Sequence, residues 1–172
     1  PRSTKQGGAW MTSFKDQWIT REGENSRPHI SLVMNFTRPT ESTPALLTYD
    51  EVETFLHEFG HALHGLMANS RYESLSGTNV YRDFVELPSQ LMENWLPEQE
   101  FLETFAHHHL TGEVLPDSLI QKIRNTQRYH VGYHCVRQLT FGMLDMAWHT
   151  QTEKIEDITA FEQNAISPTQ LL

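Results

Sequence analysis

Apolar residues change their spacing along the chain, and each change predicts a different element. Over residues 9–19, Trp10, Phe14 and Trp18 alternate loosely with polar positions, between turn material at Gly7-Gly8 and Arg21-Glu22-Gly23-Glu24-Asn25-Ser26. That pattern predicts a strand or hairpin arm. The short apolar run Ile30-Ser31-Leu32-Val33-Met34-Asn35-Phe36, with Pro28 before it and Pro39 after it, predicts a second strand. Asn35-Phe36-Thr37 matches a glycosylation sequon, but its place in an apolar run makes chance the simpler account.

From Thr48 the period becomes helical. Thr48-Tyr49-Asp50-Glu51 reads as a capping box, in which the Thr hydroxyl and the Glu carboxylate each satisfy a backbone N–H of the first turn. Val52, Phe55, Leu56, Phe59, Leu63, Leu66 and Met67 then recur at helical spacing up to about Ala68. A loop at Ser76-Gly77-Thr78-Asn79 leads to a second helix over residues 83–95, where Pro88 is tolerable only near the first turns. Further helices are predicted over 97–110, 116–129 and 132–149, the first two separated by Thr111-Gly112-Glu113. The expected fold class is mainly α with a small β-sheet, an α+β arrangement.

Composition narrows the function classes. With 13 Lys and Arg against 22 Asp and Glu, the net charge is −9, which argues against a nucleic-acid partner because few cations are available to displace phosphate counterions. No apolar run approaches the ~18–20 residues of a membrane span. The single cysteine, Cys135, allows no internal disulfide and favours a reducing compartment, hence the cytoplasm, with the periplasm as the alternative if a signal sequence was removed. Cys135 itself reads as a buried small hydrophobe. The chain opens on Pro1-Arg2-Ser3-Thr4 and closes on Gln170-Leu171-Leu172. Both ends read as cut, so the expectation is a single-domain piece of a longer chain.

The first helix contains His57-Glu58-Phe59-Gly60-His61, an H-E-x-x-H string. About 0.05 matches arise by chance at this composition, so the string alone is only suggestive. Helical geometry strengthens it: residues four apart lie about 40° and about 6 Å apart on one face, close enough for both imidazoles to converge on one Zn²⁺. Glu58 is rotated off that stripe, where it can hold the metal's water but does not easily replace a ligand. The plainer reading is a pair of core histidines on an amphipathic helix. His64 lies too far along the axis, about 10.5 Å from His57, to share an ion with it, and reads as a core or supporting residue.

A catalytic zinc needs a third protein ligand and an open position. A metzincin pattern is excluded, because His64 stands where it requires glycine and Met67 where it requires histidine. A glutamate about twenty positions beyond His61, as in thermolysin-like enzymes, would fall at Tyr81. Glu73, Glu86 and Glu93 remain. Glu73 falls in an expected loop, while Glu86 and Glu93 share one face of the second helix, and geometry does not choose between them.

Phe55-Leu56-His57-Glu58-Phe59-Gly60-His61-Ala62-Leu63-His64 resembles the signature of the thimet oligopeptidase and peptidyl-dipeptidase family of zinc metallopeptidases. Asp83-Phe84-Val85-Glu86-Leu87-Pro88-Ser89-Gln90 resembles that family's second signature. Gly7-Gly8-Ala9-Trp10, Thr111-Gly112-Glu113 and Leu144-Asp145-Met146-Ala147-Trp148-His149 also fit, the last leaning toward the dipeptidyl carboxypeptidase branch. The resemblance implies a zincin-like piece of a two-lobed helical peptidase acting on short peptides. It implies one Zn²⁺ held by His57, His61 and Glu86, with Glu58 as the catalytic base. It also implies release of C-terminal dipeptides, with endo-acting oligopeptidase activity as the alternative. The family uses a downstream segment rich in His, Gly and Tyr to bind the oxyanion and substrate. None is found in these residues, so a zinc-loaded but silent peptide-binding piece is the competing expectation.

Other histidines are discounted. His107-His108-His109, placed on a helix, would point about 100° apart and could not share an ion. His130, His134 and His149, also placed on helices, have no acidic or cysteine partner nearby in sequence that matches a metal-ligand pattern, and read as core or surface residues. His29 lacks a visible partner. The stretch Glu153-Lys154-Ile155-Glu156-Asp157 reads as solvated surface.

Overall fold

The computed structural model describes residues 7–169 and Leu171, so the termini that suggested cut ends lie largely outside the described residues. Residues up to Asp117 gather into one compact unit and those from Ser118 into another. No helix among the described residues is long and apolar enough to cross a membrane.

The first unit opens with two small antiparallel pairings. Strand β1 (Trp10–Lys15) pairs with β4 (His29–Val33), from Trp10 opposite Val33 to Lys15 opposite His29, with an irregularity between Ser13 and Lys15. The short strands β2 (Trp18–Ile19) and β3 (Asn25–Ser26) pair as a hairpin. Both expected strands are present, but the aromatic side of β1 faces outward: Trp10 and Phe14 are exposed while Met11 and Ser13 turn inward. The reason is helix α1 (Tyr49–Leu66), whose Gly65 comes close to Ile30 and Met11.

Helix α1 begins where the capping box places it. Thr48 Oγ1 accepts from the Glu51 N–H at 3.2 Å, and Glu51 Oε2 accepts from the Thr48 N–H at 2.8 Å. At its other end, Arg27 donates to the carbonyls of Leu66 and Ala68, which places a cation on the negative end of the helix dipole. The fully buried Gln17 ties down the chain that follows. Its amide nitrogen donates to Asn25 Oδ1 and to the Ser70 carbonyl, and its oxygen accepts from the Ser70 N–H and from the Ser76 hydroxyl.

The second predicted helix is divided. Helix α2 (Arg82–Val85) ends at Glu86, and α3 (Leu87–Glu93) starts immediately after it. Proline has no N–H and its ring crowds the preceding turn, and the division puts Pro88 in the first turn of α3, where neither matters. Helix α3 packs along α1.

Two expectations fail in the rest of this unit. The helix expected over 97–110 is only α4 (Gln99–Leu102). After it the chain turns back, His107 bridges Val114, the His108 N–H donates to the Glu113 carbonyl, and Gly112 sits at φ 75°. Glycine adopts that left-handed conformation without a Cβ clash, and the resulting turn draws His107, His108 and His109 out of any helix. The helical argument against a shared ion therefore does not apply to them. All three are exposed, and His108 Nδ1 accepts from the Thr111 N–H.

The second unit contains nearly all of α5 (Asp117–Gln127), then α6 (Val131–Thr150) and α7 (Ile158–Ile166). Helix α7 was not anticipated. Asp157, expected as plain surface, caps it by accepting from the Ala160 N–H at 3.0 Å, and Phe161 packs on Trp148 of α6 with ring centroids 4.6 Å apart. Cys135 is exposed on α6, contrary to its expected burial. The described architecture is mainly helical with a small amount of β-structure.

Candidate metal centre

The H-E-x-x-H string lies in the middle of α1, and the 3.6-residue period turns His57 and His61 toward α3. Their rings stand 4.9 Å apart between centroids and nearly perpendicular. Glu86, at the junction of α2 and α3, reaches between them: its Oε2 lies 3.2 Å from His57 Nε2 and 3.2 Å from His61 Nε2. Among the described residues this is the one group of three His, Cys, Asp or Glu whose ligand atoms converge, all within 4.8 Å of one another.

The close approach of the helices depends on a residue between the histidines. A Cβ built on Gly60 would lie 2.5 Å from the Pro88 carbonyl oxygen and 2.5 Å from Ser89 Cα. Any side chain there would push α3, and Glu86 with it, away from the imidazoles.

The donor set suits a divalent cation. Two imidazole nitrogens and one carboxylate oxygen form a common zinc ligand set. Bonds of about 2.0–2.1 Å in a tetrahedron separate ligand atoms by about 3.3–3.4 Å, close to the two 3.2 Å separations at Glu86 Oε2. The surroundings are acidic as well. Burial pushes the Glu53 carboxyl above its ordinary value, and the neighbouring Glu93 and Asp50 carboxylates push it further, with His57 opposing them. Burial beside Glu53 and Asp50 likewise raises the Tyr49 phenol to about 12.

The remaining candidates separate cleanly. Glu93 reaches the same histidine from behind, with Oε1 2.6 Å from His57 Nδ1. Glu73 lies in a short 3-10 turn (Glu73–Leu75) and does not belong to the convergent group. Glu58 is buried one residue along from His57, outside the three-atom focus. His64 packs edge-on against Phe84, and its buried Nδ1 meets no hydrogen-bond partner among the described residues. Burial lowers its pKa, and the nearby His61 lowers it further. It lines a pocket of about 440 Å³ that contains none of the three convergent residues. Ser89 was not singled out from sequence. It is fully buried, and its hydroxyl lies 2.8 Å from Glu86 Oε2. Its place in the second signature string, three residues after a candidate ligand, was the available signal.

Comparison with known proteins agrees with the two signatures. The chain is 42% identical over 167 residues to dipeptidyl carboxypeptidase of Escherichia coli strain K12, covering 96% of this chain and 24% of that protein. It is 42% identical over 151 residues to oligopeptidase A of the same organism, covering 87% of this chain and 22% of the relative. It is 36% identical over 152 residues to the thimet-like oligopeptidase of Dictyostelium discoideum, covering 87% and 23%. The chain thus spans about a quarter of the length of the curated relatives it matches. The match to peptidase family M3 takes in residues 1–167, both histidines and Glu86 among them, and the chain belongs to that family.

Proposed function

We propose that this chain is the catalytic region of a longer zinc peptidase that hydrolyses short peptides by releasing C-terminal dipeptides. The convergence of His57, His61 and Glu86 on one focus carries the reading. His57, His61 and Glu86 would hold one Zn²⁺. When bound, such an ion supplies a Lewis acid that polarises a carbonyl and makes water more acidic. A Glu58 carboxylate oxygen takes a proton from water as its oxygen adds to the scissile carbonyl carbon. The same carboxyl then delivers the proton to the departing nitrogen as the C–N bond breaks, the work of a general base that becomes a general acid.

Endo-acting cleavage is the second reading, because oligopeptidase A of E. coli matches at the same 42% identity as the dipeptidyl carboxypeptidase. Peptides with free and amidated C-termini, analysed by mass spectrometry, separate the two. Dipeptide release that stops on amidation supports the first, and internal cuts that ignore it support the second.

Metal analysis tests the centre itself. The purified chain is expected to retain about one zinc and Glu86→Ala to lose it. Glu58→Gln is expected to keep zinc while turnover falls about 10²–10⁴-fold, the usual range for a general base. Zinc retained by Glu86→Ala but lost from Glu93→Ala would move the third ligand to Glu93. Stoichiometric zinc with no turnover by the parent chain would favour a silent peptide-binding region.

A further inference from the structure

The groups that brace the candidate ligands come from one face of α3. Glu86, Ser89 and Glu93 stand at i, i+3 and i+7, which a 100° step places within about 60° of one another. Glu93 Oε1 lies 2.6 Å from His57 Nδ1, the ring nitrogen opposite the one that meets Glu86. The Ser89 hydroxyl lies 2.8 Å from Glu86 Oε2 and 2.9 Å from the Glu86 carbonyl oxygen. A hydroxyl has one proton to donate, and the carboxylate is the stronger acceptor. His61 has no such brace, since its Nδ1 is buried with no hydrogen-bond partner among the described residues.

We propose that Glu93 and Ser89 are positioning residues that preset His57 and Glu86 for a divalent cation. Glu93 accepts the Nδ1–H of His57, which fixes the tautomer whose Nε2 lone pair faces the site and limits rotation of the ring. Ser89 donates to Glu86 Oε2 and holds the carboxylate where it reaches both imidazoles. His61 receives no such brace at Nδ1 among the described residues. The inference rests on the metal centre proposed above and assigns two residues outside it.

Zinc affinity of the 172-residue chain, measured by competition with a chromophoric chelator, tests this without reference to turnover. Loss of such a brace typically weakens metal binding about 10–100-fold, and Glu93→Ala is expected in that range. Glu93→Gln keeps an acceptor oxygen at the same reach and should fall between Glu93→Ala and the parent. Ser89→Ala should weaken binding too, while Glu156→Gln, which lies in the other unit, should match the parent. Proton spectra of the zinc-loaded chain should show a downfield imidazole N–H in the parent and in Glu93→Gln that disappears in Glu93→Ala. Parent-like affinity in both Glu93→Ala and Ser89→Ala, with zinc still bound by the parent, overturns this inference and leaves the metal centre standing. Equal weakening in Glu93→Gln and Glu93→Ala, matched by equal loss of helical circular dichroism, overturns it as well. A parent chain that takes up no zinc overturns the metal centre and this inference together.

Discussion

Glu51 shows how much one side chain can anchor at the residue scale. Its carboxylate accepts from the Thr48 N–H, closing the capping box, and from the N–H and hydroxyl of Thr37 at 2.5 and 2.8 Å. Those bonds, the Thr48 N–H foremost and the Thr37 hydroxyl next, hold its pKa below the ordinary 4.5. A folded-state value below the unfolded one stabilises the fold above the unfolded pKa, and the contribution is lost as pH falls through the folded value. Glu51→Gln should therefore be less stable than the parent to urea at pH 7, with the gap narrowing as pH drops below 4.5. A gap that ignores pH would remove the charge from the explanation. Thr48→Ala, which deletes the other half of the box, should cost about 0.5–2 kcal/mol by the same titration. The box was legible in sequence because all of its signal lies within four residues. The Thr37 contacts were not, because they bridge fourteen positions of chain.

At the scale of elements, the decisive feature is the contact of α1 with α3. Gly60 occupies an unspecified position of the H-E-x-x-H string, yet a methyl group there would overlap Pro88 and Ser89 backbone. Backbone yields less readily than a side-chain tip, so Gly60→Ala should exceed the ~1–3 kcal/mol usual for overpacking or displace α3. The melting temperature should fall, and zinc affinity should fall with it because Glu86 moves. An unchanged melting temperature would contradict the close approach. The pairing also reverses the usual amphipathic arrangement: α3 turns Ser89 and Glu93 toward α1 and leaves Leu87 and Leu91 exposed. Periodicity assigned the helix but not its orientation, since a polar site and an apolar core can both sit beneath a helix. The division at Glu86 follows from Pro88, and the failure of the helix over 97–110 follows from the turn at Gly112.

For the molecule as a whole, the candidate centre is confined to one unit. His57, Glu58, His61, Glu86, Ser89 and Glu93 all precede Asp117. Zinc bound by these side chains alone should survive truncation, so a chain ending at Asp117 is expected to match the affinity of all 172 residues. A folded truncation with much weaker binding would show that residues after Asp117 contribute to the site. Many large apolar side chains are exposed on both units, among them Tyr81, Leu110 and Tyr129, and the chain spans about a quarter of its relatives' length.

Sequence alone determined the first helix, its cap, the spacing of His57 and His61, and membership of a peptidase family, because each depends on residues close together or on a string that can be matched. It reduced the candidates for a third ligand to Glu86 and Glu93 by shared helical face, and only the resemblance chose between them. The tertiary structure decided what periodicity leaves free: which of the two carboxylates meets the inner ring nitrogens and which stands behind His57. That choice turns on how closely two helices approach at Gly60 and where Pro88 interrupts the second, distances between residues remote in the chain, which local spacing does not encode.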